Sequence, residues 1–541
     1  MREAYDQQWI YVADKWIDID CLVGLVVRCA AFGSTGPGFD SGVRQVSLSK
    51  PEALARSLGV ISIYYKDLFY NLQEMALSKK TDVRGMWEKI PFALDFKIYL
   101  FNYTNSDEVS KGGVPIVKEI GPYYFEEWKE KVELEDNDGN DTVSYKKKDT
   151  FYFRPEMSGP GLTGEELIVI PHIFIPIRYK HTYNIQIFPL LIISLNSYSI
   201  SFVIRCSSFK ALDILFRGIV INCDRTDFAP KAACTTIKKE KLSGIIYEPN
   251  NQYRFSLFGT KNATVGNQVI TVKRGMDNVM EVGRVVGVNG EPSLKIWKDH
   301  CNAFDGTDGT VFPPFLTSKD RVETYSTDLC RNFKAWFTKK TSYRGIKTNH
   351  YTVDIGDLAK DPELQCFCDS PDTCPPKGLM DLTKCMGAPL YASLPHFLDC
   401  DPQIQKNVKG LTPDVNEHGI HIDFEPITGT PMMASQRLQF NIQLLKTDKI
   451  PQCKDLPDTI VPLFWIDEGI GLNKTFVKMM KSQLFTPKRV VKIVSWLMLV
   501  FGFLGAAAGV VYHYKGRLPS RRIQVFIWNI NNLNMLYKYL H

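Results

Sequence analysis

Cys366, Cys368, Cys374 and Cys385 fall within twenty residues, spaced C-x-C-x5-C-x10-C, and Cys301 and Cys330 precede them. Clustered thiols serve metal ligation, redox exchange or cross-linking. The spacing lacks the paired C-x2-C knuckles of common zinc modules, although His300, His350 and His396 are near in sequence. A thioredoxin-like dithiol needs C-x-x-C, which this cluster does not contain. In an oxidising compartment the six cysteines read as a disulfide framework. Six cysteines allow fifteen pairings, and spacing alone does not choose among them.

A second group has ligand chemistry. His418, His421, Asp423 and Glu425 are close in sequence, and in an extended strand the last three share one face. That face is the polar side of an amphipathic strand, so a solvated surface is expected rather than a metal site. The run "FDGTDGT" at 304–310 is oxygen-rich but lacks the acidic residue that ends a calcium loop, and reads as a turn. No G-x-S-x-G, P-loop or H-E-x-x-H occurs. The expectation is a chain that is not an enzyme, with no catalytic residues, cofactor or metal.

The elements that must position these residues are mostly strands. "RLQFNIQL" alternates Leu438, Phe440, Ile442 and Leu444 against Arg437, Gln439, Asn441 and Gln443, the pattern of a half-buried strand. "GIHIDFE" turns Ile420, Ile422 and Phe424 inward, and "FKIYLF" and "YRFSLF" are aromatic-rich strand candidates. "EDNDGND" at 135–141 is a turn between two strand-like arms. "STDLCRNFKAWFTK" carries the better of the few helical patterns.

At 541 residues, 44% hydrophobic and 23% charged, the chain can bury a large core. A net charge of +6 over this length argues against a dedicated nucleic-acid binder, which would show a basic stripe or domain. "EEWKEK" (126–131) and "YKKKD" (145–149) mix or neighbour both signs and read as solvated faces. From Ile493 to Tyr512 no charge interrupts "IVSWLMLVFGFLGAAAGVVY". At ~1.5 Å per residue a helix of that length spans the ~30 Å hydrocarbon core. Lys488, Arg489 and Lys492 precede it, Lys515, Arg517, Arg521 and Arg522 follow, and Trp496 and Tyr512 sit near its ends. Sequons at Asn102, Asn140, Asn262 and Asn473 all precede the span, which favours a large extracytoplasmic region and a short cytoplasmic tail. The uncharged stretch Ile185–Ile204 contains Pro189, Asn196 and several serines and reads as non-spanning. The N-terminus, with Asp14, Asp18 and Asp20 before a short apolar run, is a poor signal peptide.

Several long motifs then suggest a family. "MWEKIPFALDFKIYLFNYTN" (86–105), "GGVPIVKEIGPYYFEEWKEK" (112–131), "WKDHCNAFDGTDGTVFPPF" (297–315), "YASLPHFL" (391–398) and "DFEPITGTPM" (423–432) resemble the class B scavenger receptor family, which includes fatty-acid translocase. Within it the chain is most similar to the insect sensory neuron membrane proteins, first type. The resemblance covers roughly 82–172 and 209–515. It implies an α+β protein with a large β-rich, β-barrel-like ectodomain, a helical apex and an internal hydrophobic tunnel. It implies two membrane spans in the plasma membrane, of which this sequence shows one clearly. It implies the pairs Cys301–Cys366, Cys330–Cys385 and Cys368–Cys374, leaving the state of Cys223, Cys234, Cys400 and Cys453 open. The implied domains are an atypical N-terminal region (1–80), a lipid-binding ectodomain (81–487), a transmembrane helix (488–514) and an atypical cytoplasmic tail (515–541).

Three segments depart from the family. Residues 1–80 lack the expected first span, 173–208 replace the helices expected at the apex, and the tail ends in "IQVFIWNINNLNMLYKYLH". The second and third have the composition of translated AT-rich non-coding DNA, so retained intron sequence and a displaced start are expected. The functional expectation is a receptor or co-receptor that captures hydrophobic ligands such as pheromones and fatty-acid derivatives. It would pass them through the tunnel to an odorant receptor with its co-receptor, with an odorant-binding protein and membrane lipid as further partners. The alternative is a scavenger or adhesion receptor for lipoproteins, lipids or apoptotic cells.

The topology is directly testable. Single-sequon variants of the expressed chain should each lose one glycosidase-sensitive shift at Asn102, Asn140, Asn262 and Asn473. Glycans confined to Asn102 and Asn140 would instead make 185–204 a membrane span.

Overall fold

The computed structural model describes residues 74–171, 207–223, 238, 244–249, 252–387, 390–444, 446 and 454–515. The expectations for 1–73, for most of 173–208 including the 185–204 stretch and Cys206, for Cys234 and Cys453, and for 516–541 lie outside these residues. Of 173–208 only Ser207 and Ser208 are described, and they begin the strand Ser207–Lys210, which pairs antiparallel with Leu167–Ile170.

The main sheet follows the alternating patterns of the sequence. Its strands are β1 (Leu94–Tyr103), β2 (Val117–Asn137), β3 (Thr142–Phe153), β4 (Ile270–Lys273), β5 (Val285–Val288), β6 (Val322–Ser326), β7 (Arg331–Tyr343), β8 (Ile346–Val353), β9 (Ile420–Phe424), β10 (Pro431–Leu444) and β11 (Thr459–Gly471). The order is β5-β4-β3-β2-β1-β11-β10-β9-β8-β7-β6. Each half is therefore a sequential antiparallel run, and the last strand returns beside the first.

The two edges meet at the 304–310 segment. Thr307 bridges Arg284, next to β5, on one side and Thr324 of β6 on the other. Its N–H donates to Glu323 O (3.0 Å), and its carbonyl accepts from Tyr325 N (2.8 Å). Val285 N donates to Gly306 O (3.0 Å). Gly306 lies at φ +87°, and a Cβ there would stand 2.2 Å from the Glu323 backbone, so only glycine fits. The expected turn is thus also the strap that nearly closes a barrel-like sheet, and closure removes exposed strand edges.

Asp308 anchors the strap from inside. Its Oδ2 accepts from Trp87 Nε1 (3.0 Å) and Tyr145 OH (2.7 Å), and Oδ1 accepts from Thr310 N (3.0 Å) and Oγ1 (2.7 Å). Lys131 Nζ stands 3.9 Å away and donates to Trp87 O (2.9 Å) and Thr310 Oγ1 (3.0 Å). Burial pushes the Asp308 carboxyl up, but the Lys131 charge and the Thr310 and Tyr145 hydrogen bonds outweigh it and hold the group below the carboxylate range.

Register defines the inner face. Phe96 pairs with Phe125 and with Glu468, Phe125 with Phe153, and Glu468 with Gln436, so these side chains share one side. The buried clusters around Phe96 and Phe464, around Tyr145 and Val272, and around Tyr351 and Ala434 draw on this side.

One element differs from its sequence pattern. "STDLCRNFKAWFTK" is the end of β6, a turn and β7, not a helix. Leu329, Phe333 and Trp336 mimic helical spacing, but β7 lies between β6 and β8, and pairing on both sides overrides local preference.

The disulfides staple a layer beside β7. Cys301–Cys366 and Cys330–Cys385 each have Cα atoms 5.7 Å apart, and Cys368–Cys374 5.2 Å. By loop entropy the long pairs contribute ~4 kcal/mol each and the short one ~2 kcal/mol. Cys223 is also disulfide-bonded. Cys400 is a buried free thiol, pushed up to about 12 chiefly by burial.

A second compact unit, Leu472–His541, contains the helix Thr486–Lys515. Its stretch Thr486–Tyr512 is long and apolar enough to cross a membrane, and none of it is buried by protein. Phe501, Phe503, Leu504 and Val511 are exposed around it, as suits lipid rather than water.

Replacing Asp308 by alanine should cost about 3–5 kcal/mol, because Lys131, Trp87 and Tyr145 would be left buried without their partner. Tyr145→Phe, which removes one hydrogen bond, should cost about 1 kcal/mol. Chemical unfolding of the two variants checks the ranking, and equal losses would remove the anchoring role.

Candidate functional site

The inner face carries an aromatic cluster in which Phe96, Phe125, Phe151 and Phe464 are buried. Phe96 packs on Phe151 (ring centroids 5.0 Å) and Phe258 (5.5 Å), Phe125 on Phe216 (4.5 Å), and Phe440 on Phe464 (4.9 Å). Phe216 comes from the short π-helical turn Asp213–Arg217, whose burial of Ile214 and Leu215 seats it over the sheet. Such an aromatic wall suits an alkyl chain, which gains ~0.8 kcal/mol per buried CH₂.

Four strands leave this aromatic region along the same face, three for charged residues and one for an amide. In β2, Tyr123 and Phe125 give way to Glu127, Lys129 and Lys131. In β3, Phe153 and Phe151 give way to Asp149 and Lys147. Phe464 and Ile466 of β11 lead to Glu468, and Phe440 and Leu438 of β10 to Gln436. Lys129 Nζ lies 3.1 Å from Glu127 Oε1 and 3.0 Å from Glu468 Oε1. This end is open: the Lys129 and Glu468 side chains keep 25% and 27% of their surface, and Gln436 is exposed. On the opposite face, Gln439 and Asn441 are fully buried.

The electrostatics follow from burial. Desolvation pushes Glu127 up to about 8, with Glu468 and Asp149 adding to the rise and Lys129 opposing it. Burial works against the Lys129 charge, but Glu127, Glu468 and Asp149 hold its value well above the ordinary lysine range. Glu127 Oε2 is buried without a hydrogen-bond partner.

These residues correct the sequence reading. "EEWKEK" and "YKKKD" were expected to be solvated, yet Glu127, Lys129, Lys131, Lys147 and Asp149 point inward. The signal was present as a period of two, since Tyr123 and Phe125 fall in phase with the charges, but both signs in one run masked it. The face of "RLQFNIQL" expected to be polar is covered as well. Gln439 Oε1 accepts from His396 N (2.7 Å), its Nε2 donates to Asn441 Oδ1 (2.7 Å), and Asn441 Nδ2 donates to Ser393 Oγ (3.0 Å). Nor are Asp423 and Glu425 solvated: they are 6% and 1% exposed. Asp423 accepts from His350 Nδ1 (2.7 Å), and Glu425 accepts from Ile427 N (3.1 Å) and Thr428 N (2.8 Å) in its own turn.

Among the described residues, two groups gather three potential metal ligands. In the first, beside His300, Cys301 and Cys366 are joined as a disulfide, so no thiolate is offered. The second is Glu119, His396 and His418. Thr412 N donates to His396 Nδ1 (2.9 Å) and Asp414 N to His418 Nδ1 (2.9 Å). A neutral ring then carries its proton on Nε2, and His396 Nε2–H donates to Glu119 Oε2 (2.6 Å). The nitrogens facing Glu119 are donors rather than ligands. Burial pushes Glu119 up, but hydrogen bonds from His396 and Trp465 (2.7 Å) outweigh it and lower its value. Burial and the neighbouring His396 bring His418 down to about 4. The cluster pins the 395–418 layer over the outer face.

The sequons differ in their surroundings. Asn140 and Asn473 are exposed. Asn102 and Asn262 are half-buried, their Oδ1 atoms accepting from Val169 N (2.7 Å) and Phe151 N (2.9 Å). A separate cavity of about 390 Å³ beside Cys374 is lined by Pro376, Tyr391, Gln443, Asp458 and others. Its mixed polar lining is unlike the aromatic wall.

With this geometry in hand, known proteins give a consistent match. The family described as CD36 matches residues 53–513. The chain is similar to Sensory neuron membrane protein 1 of Bombyx mori, 66% identical over 449 residues, 82% of this chain and 85% of the relative. It is 64% identical to Sensory neuron membrane protein 1 of Manduca sexta over 448 residues, with the same coverage.

Glu127 gives a signed pH effect. Its folded carboxyl holds a proton more tightly than the unfolded one, so its contribution is fully present below about pH 4 and lost as pH rises through about 8. Against Glu127→Gln, the wild-type chain should therefore lose relative stability between pH 5 and pH 9. Paired thermal melts at both pH values check this, and an unchanged difference would mean Glu127 titrates normally.

Proposed function

The chain belongs to the CD36 family, and from that premise we propose that it is a membrane-anchored chemosensory receptor for lipophilic ligands rather than an enzyme. The observation that carries the reading is the inner aromatic wall of Phe96, Phe125, Phe151, Phe258 and Phe464 inside a nearly closed sheet. A long-chain ligand crosses water poorly, and an apolar conduit replaces its hydration with ring contacts. In this reading the β-rich unit is extracellular and glycosylated at Asn102, Asn140, Asn262 and Asn473, and the chain crosses the plasma membrane twice. It receives pheromone-like or fatty-acid-derived molecules, directly or from an odorant-binding protein, and delivers them to an odorant receptor and its co-receptor. The similarity to Sensory neuron membrane protein 1 supports the chemosensory setting.

Narrowing the interior tests the conduit. Leu438 and Ile466 face inward and are only partly buried. Leu438→Trp and Ile466→Trp, expressed in a pheromone-responsive neuron lacking its own copy, should slow responses to long-chain ligands and leave water-soluble odorants unaffected. Equal slowing of both classes would count against delivery through the barrel.

A further inference from the structure

The inner face changes from aromatic to charged within one residue step on β2, where Phe125 is followed on the same side by Glu127. Glu127 stands directly opposite Leu94 of β1 and Phe151 of β3. We propose that this junction is a head-group subsite for a long-chain amphiphile whose head is uncharged but hydrogen-bonding, such as a primary alcohol, with Glu127 receiving it. The inference rests on the lipid-handling reading and specifies the ligand's polar end.

Three observations support the choice of head. First, Glu127 is 2% exposed, its Oε1 is engaged by Lys129, and its Oε2 has no partner. A buried oxygen left unpaired is costly, and a hydroxyl arriving with the ligand would satisfy it. Second, Lys129 is already paired with Glu468, and Asp149 also acts on it. A carboxylate head would meet a cation already engaged by two carboxylates. Third, burial keeps the Glu127 proton to about pH 8, so near neutrality its carboxyl can donate as well as accept. A bare alkane would satisfy none of these groups. The geometry therefore ranks alcohol above both carboxylate and hydrocarbon of equal chain length. The open flank at Lys129, Glu468 and Gln436 gives the head a hydrated approach, and the tail would enter among Phe96, Phe125 and Phe151 by displacing their mutual ring contacts.

The test uses the full chain in lipid nanodiscs with radiolabelled 1-hexadecanol, hexadecanoate and hexadecane. The wild-type chain should bind the alcohol about tenfold more tightly than either competitor, the scale of one hydrogen bond. Glu127→Leu should abolish that preference and leave hexadecane binding unchanged. Glu127→Gln, which keeps an uncharged hydrogen-bonding group of the same shape, should retain most of it and controls for a folding defect in the leucine variant. Equal wild-type affinity for the three ligands, or an undiminished alcohol preference in Glu127→Leu, would overturn the subsite while leaving lipid handling intact. Failure of all three to bind would overturn the lipid-handling reading and the subsite with it.

Discussion

The fold depends on how an eleven-strand antiparallel path avoids two open edges. Thr307 joins those edges by backbone hydrogen bonds, and Asp308 locks the joint from within through Trp87, Tyr145 and Thr310. An isolated buried carboxylate would be expensive. Here Lys131 and four hydrogen bonds offset the cost, and removing either side exposes the other. Because the strap closes the sheet, one face becomes an interior and the other an exterior that further layers can cover.

That division explains why polar residues occur on both faces yet behave differently. On the outer face, Gln439, Asn441 and Ser393 satisfy one another beneath the 395–418 layer, and Glu119 is bonded to His396 and Trp465. Those groups serve packing, although on the same face Arg437 Nε and Asp467 Oδ1 are buried without a hydrogen-bond partner. On the inner face, the ion pairs of Lys129 leave one Glu127 oxygen unpaired and keep a quarter of the lysine surface accessible. A partly satisfied network beside an aromatic wall is poorly suited to packing alone and well suited to an amphiphile.

The two compact units answer to different solvents. The β-rich unit hides its apolar residues from water and is stapled by disulfides, which persist in oxidising surroundings. The helix Thr486–Lys515 does the reverse, presenting Phe501, Phe503 and Leu504 outward. A receptor for lipophilic molecules needs both, one unit to shield the ligand from water and one to hold the chain at the bilayer.

Several features were legible in the sequence because they depend on local chemistry. A charge-free run long enough to span a bilayer, strict alternation in "RLQFNIQL", and long motifs in order specify the membrane helix, the strands and the family. What the sequence could not determine is which alternating residues face a lumen. "EEWKEK" and "YKKKD" look like solvated faces until register places Glu127, Lys129 and Asp149 beside Phe151 and Glu468. The polar side of "GIHIDFE" looks exposed until His350 covers Asp423. "STDLCRNFKAWFTK" looks helical until two partner strands claim it. Alternation tells which residues share a side, but only closure of the sheet decides which side is inside, because that depends on distant strands pairing, as Phe96 does with Glu468, and on the β5 and β6 edges meeting at one strap.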